Sequence, residues 1–120
     1  MDIKIYFDED SEYSEFNYNN KDYRLGIVVV SNNQIYKINI YGITRLNQEF
    51  DESANNGEIF YVEPNLIIVE EVNKQNIINA ILGVCKEFHF LSQLKTEDDI
   101  DLSNYINVYW LLNFISYVSL

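Results

Sequence analysis

The sequence predicts one α+β domain spanning residues 1–120, a mostly antiparallel β-sheet packed against one long helix with one or two short helices. The first indication is a pair of strand-like runs at 24–30 and 34–41, separated by a Ser-Asn-Asn turn typical of a β-hairpin. The second is a broad apolar stripe at helical spacing that follows Asn73. The third is the composition, because 120 residues with 48% hydrophobic content suffice for one core.

The first half of the chain opens with a strand. Residues 2–7 alternate between apolar and polar side chains, as in a half-buried strand. Residues 8–22 are acidic and rich in asparagine, which predicts a loop or irregular excursion attached to the body by its aromatic side chains. After the hairpin, residues 43–54 carry apolar side chains three and four positions apart, which predicts a short helix. Asn55-Asn56-Gly57 would end that helix.

The second half predicts a strand, the long helix and a last strand. After the short apolar run 59–62, the β-branched run 66–69 is typical of a strand covered on both faces. Asn73 is a suitable cap for a helix over 74–90. Residues 96–105 begin with an acidic capping segment and predict a short helix. The apolar tail 107–118 fits a strand or a buried helix, and β-propensity favours the strand.

The charge balance narrows the classes of partner. Eight Lys and Arg against 19 Asp and Glu give a net charge of −11. This disfavours direct binding to nucleic acid or to anionic lipid, and favours a basic protein or simple solubility. No apolar stretch is long enough to span a membrane, and the N-terminal residues do not resemble a secretion signal, so we expect a cytoplasmic protein.

Catalytic, metal-binding and cofactor-binding motifs are scarce. A single cysteine and a single histidine exclude an intramolecular disulfide, a cysteine-cluster zinc site and a pair of histidine ligands. We interpret Cys85 as a core residue and His89 as a helix-end residue, the alternatives being a nucleophile and a general base. The run from Asp8 to Glu12 resembles the start of a calcium loop, but the central glycine and the terminal glutamate are missing. The sequence therefore predicts no enzyme, no metal and no cofactor.

Acidic and aromatic side chains alternate near the N-terminus, and a second group of carboxylates follows the hairpin. Such a mixture suits a protein inhibitor, because charge accelerates encounter and aromatic side chains supply short-range contact. The predicted partner-binding residues are Asp8, Glu9, Asp10, Glu12, Tyr13, Glu15, Glu49, Asp51, Glu52 and Glu58.

The segment from Glu63 to Glu70, followed by a helix with a stripe of isoleucine and leucine, resembles bacterial immunity proteins of polymorphic toxin systems, specifically the immunity protein 8 family. The resemblance covers Pro64 to Leu82 and extends loosely to Tyr109 and Trp110. It implies a small cytoplasmic protein that binds and neutralises one cognate toxin domain, often a basic nuclease. It implies no catalytic residues, and no toxin-facing residue is carried over from it.

Three other functions remain open from the sequence. One is a structural or adaptor domain whose charge serves solubility. Another is a mimic of DNA that occupies a nucleic-acid-binding protein, and the last is an enzyme that uses carboxylates or His89. For the favoured immunity function we expect a monomer or a weak homodimer.

Overall fold

The computed structural model describes residues 2–111, apart from the side chains of Phe88 and His89. Its elements in chain order are β1 (Ile3–Phe7), α1 (Glu12–Lys21), β2 (Tyr23–Ser31), β3 (Gln34–Tyr41), α2 (Ile43–Asn55), β4 (Leu66–Ile68), α3 (Lys74–Lys86), α4 (Phe88–Leu91), β5 (Thr96–Glu97), a 3₁₀ turn (Leu102–Asn104) and β6 (Ile106–Leu111). The predicted α+β class is confirmed.

The strands form one six-stranded sheet in the order β4-β3-β2-β1-β6, and β5 pairs with β3 beside β4. Among the described strands all pairs are antiparallel except β3 with β4, so the sheet is mixed but mostly antiparallel. The parallel pair follows from the connection, because α2 and the segment that folds back after it lead the chain from the end of β3 to β4, which pairs with the last residues of β3.

The predicted hairpin is confirmed as β2 and β3. Ser31 pairs with Gln34, so the turn consists of two residues. Asn32 and Asn33 have φ angles of 52° and 63°, the left-handed conformation that a type I′ turn requires and that asparagine tolerates. A register shift between Arg24 and Ile27 marks a bulge in β2.

The core lies between α3 and one face of the sheet. β1 contributes Ile3, Ile5 and Phe7, which are fully buried, and the buried side chains of α3 include Ile77 and Ile81. The alternation predicted for residues 2–7 and the apolar stripe predicted after Asn73 are both confirmed. Asn73 is the predicted cap, and its side chain accepts a 2.8 Å hydrogen bond from the backbone N–H of Asn76.

The prediction of a loop over 8–22 is wrong, because the chain forms α1 there. Ser11 and Ser14 close a capping box, in which each side chain accepts a hydrogen bond from the backbone N–H of the other. Helical periodicity could not reveal α1, since Ser14 is its only buried residue within the described chain. Contacts with distant residues hold the helix in place instead.

The prediction of one long helix over 74–90 is also wrong. The backbone is extended at Glu87, and the chain continues as the separate short α4. In a continuous helix, Leu91 would point about 120° away from the direction of Cys85, given 100° per residue. The break instead lets Leu91 join Cys85 in the core.

Three further predictions need correction or restriction. β4 is a three-residue strand whose residues are half-buried or exposed, not covered on both faces, because it lies at the end of the strand order. Residues 96–105 form β5 and a 3₁₀ turn, since Thr96 and Glu97 pair with β3 rather than cap a helix. β6 confirms a strand over 106–111, whereas residues 112–118 of the predicted tail lie outside the described residues.

None of the helices between residues 2 and 111 combines the length and the hydropathy of a bilayer-spanning segment.

Candidate protein-binding surface

The predicted partner-binding residues lie in two separate places. Asp8 to Glu15 surround the start of α1. Glu49, Asp51 and Glu52 belong to α2, and Glu58 follows its end. The two groups differ in how many of their carboxylates already form ion pairs or hydrogen bonds within the protein.

Two carboxylates of the first group surround a buried arginine. Arg24, on β2, is only 1% exposed. Its guanidinium lies 3.4 Å from a carboxylate oxygen of Asp8 and 3.7 Å from one of Glu15, and it donates a hydrogen bond to the backbone carbonyl of Glu9. It also stacks against the rings of Phe7 and Tyr18, with centroids at 3.9 and 4.4 Å. Asp8 and Glu15 therefore attach α1 to the sheet.

Glu15 and Asp10 also contact the first residue of α3, Lys74. Glu15 accepts a 2.6 Å hydrogen bond from the backbone N–H of Lys74, the first residue of α3. The Lys74 ammonium lies 3.0 Å from both carboxylate oxygens of Asp10. An anion at a helix N-terminus is favourable because the free N–H groups and the helix dipole are positive there. Three of the five carboxylates in the first group, Asp8, Asp10 and Glu15, thus have partners within the fold.

The exposed part of the first group is mainly aromatic. Tyr13 is 73% exposed, and Phe16, which the sequence analysis did not select, is 67% exposed. Phe16 borders an open groove of about 690 Å³ between α1 and the start of α3. We refer to Tyr13, Phe16 and this groove as the α1 surface.

The position of α2, which carries the second group, is fixed by a carboxylate from another element. Gly42 precedes α2 and has no side chain to cap it. Asp22, at the end of α1, accepts a 3.1 Å hydrogen bond from the backbone N–H of Arg45 and takes that role. Its own φ of 61° is left-handed and ends α1. One aspartate thus terminates one helix and caps the next.

The inner side of α2 is polar and aromatic. Arg45 forms a 2.6 Å ion pair with Glu49 and stacks on Tyr23, with the centroid at 4.4 Å.

A hydrogen-bond network joins the segment after α2 to β3. The Tyr41 hydroxyl lies 2.9 Å from that of Tyr61 and donates a 3.1 Å hydrogen bond to the Glu63 carboxylate. Burial first, then these neighbours, raise the pKa of Tyr41 above its ordinary value. This network holds the segment after α2 against β3.

The outer side of α2 and the residues after it leave large apolar side chains in water. Ile59 is 90% exposed, Val62 76% and Phe60 58%, and exposed residues on α2 include Ile43 and Phe50. Sequence periodicity correctly predicted the helix, but of its apolar residues only Leu46 is half-buried, while Ile43, Phe50 and Ala54 are exposed.

The same segment of the chain also carries three exposed carboxylates. Asp51, Glu52 and Glu58 are exposed and form no ion pair with any side chain that the structure describes. We call the following set the α2 surface: Ile43, Phe50, Ile59, Phe60, Val62, Asp51, Glu52 and Glu58. Glu49, also predicted to bind a partner, is instead engaged with Arg45.

The candidate catalytic residues do not form a site in the described part of the chain. Cys85 is buried in the core, as predicted, and the side chain of His89 lies outside the described ones. Where side chains are described, no three His, Cys, Asp or Glu residues come together as a metal ion requires.

The burial of Cys85 predicts low reactivity and a dependence of stability on pH. Burial raises the pKa of its thiol to about 11 from 9.0. In the folded protein at pH 8, we expect a disulfide reagent to react at least about 100-fold more slowly than in urea, because the reactive thiolate is scarce and shielded.

Because the folded state holds this proton more tightly than the unfolded state, the thiol's contribution to stability is full below pH 9 and falls as the pH rises towards 11. Urea unfolding of wild type and Cys85→Ala between pH 8 and 10 would check this. An equal slope in both proteins would contradict it.

Comparison with family models, with curated proteins and with solved structures finds no match to this chain. The resemblance to the immunity protein 8 family therefore stays a prediction.

Proposed function

We propose that this chain is an immunity protein, which binds one basic toxin domain in a stoichiometric complex and neutralises it by occlusion. The observation that carries the proposal is the α2 surface, where one segment, residues 43–62, holds both large exposed apolar side chains and three carboxylates that form no ion pair in the described structure. Surfaces of this composition are typical of protein contact, since contiguous exposed apolar groups are uncommon on soluble monomers.

In the proposed mechanism, charge speeds association and apolar contact slows dissociation. A net charge of −11 attracts a basic domain over several ångströms and accelerates encounter. Aromatic and aliphatic side chains then supply the short-range contact that slows dissociation. Toxins that act on nucleic acid need Lys and Arg to hold it, and carboxylates paired with those residues would block the substrate. No group of this chain has to react, and the complex would form in the cytoplasm of the producing cell.

Co-expression tests the proposal. The C-terminal domain encoded by the gene immediately upstream should arrest growth when it is produced alone, and co-expression of this chain should restore growth. The purified pair should form a complex of one copy each. A domain that arrests growth equally with and without this chain, or a pair that does not associate at low salt, would refute the proposal.

A charge-reversed variant makes the test specific. Asp51→Lys/Glu52→Lys should slow association with the domain by about tenfold at low ionic strength, because steering depends on local charge. The matched control is Asp98→Lys/Asp99→Lys, which changes the charge equally. These residues follow β5, which pairs with the start of β3, whereas α2 leaves its end. Equal effects of the two variants would show that only net charge matters.

A further inference from the structure

We infer that the α2 surface is the docking site, and that its occupant is a cationic polypeptide segment that places apolar side chains against Phe60 and Val62. The surface and the chemistry of the contact add detail to the proposed function. The inference rests on that function only in taking the natural partner to be a toxin domain.

The two parts of the α2 surface are held together by hydrogen bonds. After α2 the chain reverses, and the backbone N–H of Glu58 donates a 2.9 Å hydrogen bond to the carbonyl of Ser53. The chain then runs back beside the helix, since Tyr61 contacts Tyr41 and feels the charge of Glu49. It reaches β4 at the same end of β3 from which α2 left. Residues 58–61 therefore lie beside the C-terminal half of α2.

The side chains of this returning segment divide between inside and outside. Tyr61 and Glu63 are half-buried and bind Tyr41. Phe60 and Val62, which alternate with them, are exposed. Because the inner residues fix the backbone, the outer apolar pair is presented in an ordered position, which lowers the conformational cost of binding.

The charge of the region selects the occupant. Between residues 43 and 63 one arginine, Arg45, accompanies five carboxylates, which leaves a local net charge of −4. Arg45 is neutralised locally by Glu49. A second copy of this chain would bring the same negative charges face to face, and like charges across an interface oppose association. Nucleic acid and anionic lipid are disfavoured for the same reason, so a cationic polypeptide with apolar side chains is the complementary occupant.

The α1 surface is the weaker candidate although it is aromatic. Its carboxylates Asp10 and Glu15 are engaged by Lys74, through its ammonium and its backbone N–H respectively. A cationic partner would have to displace these contacts, whereas Asp51, Glu52 and Glu58 form no ion pair within residues 2–111 that it would have to break.

A peptide of defined chemistry tests the surface without the natural partner. The probe is an 18-residue amphipathic helix of leucine and lysine, titrated into isotope-labelled protein and followed by amide chemical shifts. We expect the shifts to concentrate in residues 43–62 and the affinity to fall as salt is raised. A peptide with glutamate in place of lysine should not bind. Shifts centred on α1, or equal binding of the glutamate peptide, would overturn the inference.

Matched variants separate the two surfaces. Phe60→Ser/Val62→Ser should weaken binding of the lysine peptide by about tenfold, since a few central apolar residues carry most of an interface's affinity. Tyr13→Ser/Phe16→Ser also removes two exposed apolar side chains and should change the affinity less than about twofold by the same reasoning. Both pairs are exposed, so an unchanged thermal midpoint should confirm that each variant is folded. The opposite ranking would overturn the inference.

The remaining outcomes distinguish the surface from the function. Sedimentation of the free wild type should show a monomer, and a dimer that Phe60→Ser/Val62→Ser dissociates would mean that a second copy occupies the surface. If the lysine peptide binds at residues 43–62 but co-expression does not restore growth, the surface stands and the immunity function fails. If growth is restored equally well by Phe60→Ser/Val62→Ser, with unchanged affinity for the toxin domain, the function stands and the surface is wrong.

Discussion

Arg24→Ala should lower the free energy of unfolding by about 3 kcal/mol, because it removes the centre of a buried ionic and aromatic cluster. The substitution leaves Asp8 and Glu15 without their shared cation, and it opens a space between the rings of Phe7 and Tyr18. Since this cluster joins α1 to β2, we expect α1 to become sensitive to protease before the rest of the protein.

Arg45→Ala is the matched control for Arg24→Ala. Arg45 also pairs with a carboxylate and stacks on a tyrosine, but its side chain is 30% exposed against 2% for Arg24. An ion pair between residues four apart on one helix contributes about 1 kcal/mol or less, so we expect at most that loss. Urea unfolding of the three proteins measures the difference. Equal losses in the two variants would show that burial of Arg24 adds nothing to the stability of the fold.

Gly42→Ala should cost about 2 kcal/mol of unfolding free energy, because it removes the cap of α2. A Cβ at position 42 would lie 2.0 Å from a carboxylate oxygen of Asp22, so that carboxylate has to move. It would then lose its hydrogen bond to the backbone N–H of Arg45. Loss of helicity in α2 should accompany the loss of stability.

A double-mutant cycle tests whether Asp22 causes the cost. Gly42→Ser alone should destabilise in the same way, since it also carries a Cβ. In an Asp22→Gly background the serine has room and can cap α2 from the usual position, and glycine suits the φ of 61° at position 22. We therefore expect the double variant to be more stable than Gly42→Ser by about 1 kcal/mol. Additive losses in urea unfolding would contradict this account.

Local patterns predicted several elements correctly. Alternation identified β1, Asn32-Asn33 identified the hairpin turn, and spacing of three and four identified most of α3, which faces the core, and α2, which does not. The errors occurred where a distant contact decides the conformation. The capping box at Ser11 starts α1, but Arg24 and Lys74 hold it, and no local pattern reports contacts across 16 or 59 positions. Likewise, the break at Glu87 places Leu91 in the core, which depends on where the sheet lies.

The candidate surface was predicted in part. Composition and clustering selected Asp51, Glu52 and Glu58, which remain exposed, but they also selected Asp8, Asp10 and Glu15, which are engaged within the fold. Phe60 and Val62 were not selected, because an apolar run in a sequence is normally a buried strand. Their exposure follows from the crossover between β3 and β4, which leaves the returning segment on the outside.

The sequence by itself determined the anionic character, the strand and helix periodicities and the scarcity of catalytic groups, since these depend on residue type and local spacing. Only the tertiary structure decided which carboxylates meet a cation and which apolar face meets water. Periodicity shows that one side of a helix is apolar, but what covers that side depends on where the rest of the chain is placed. For α2, the described fold partly covers the inner side and leaves the outer side exposed to water.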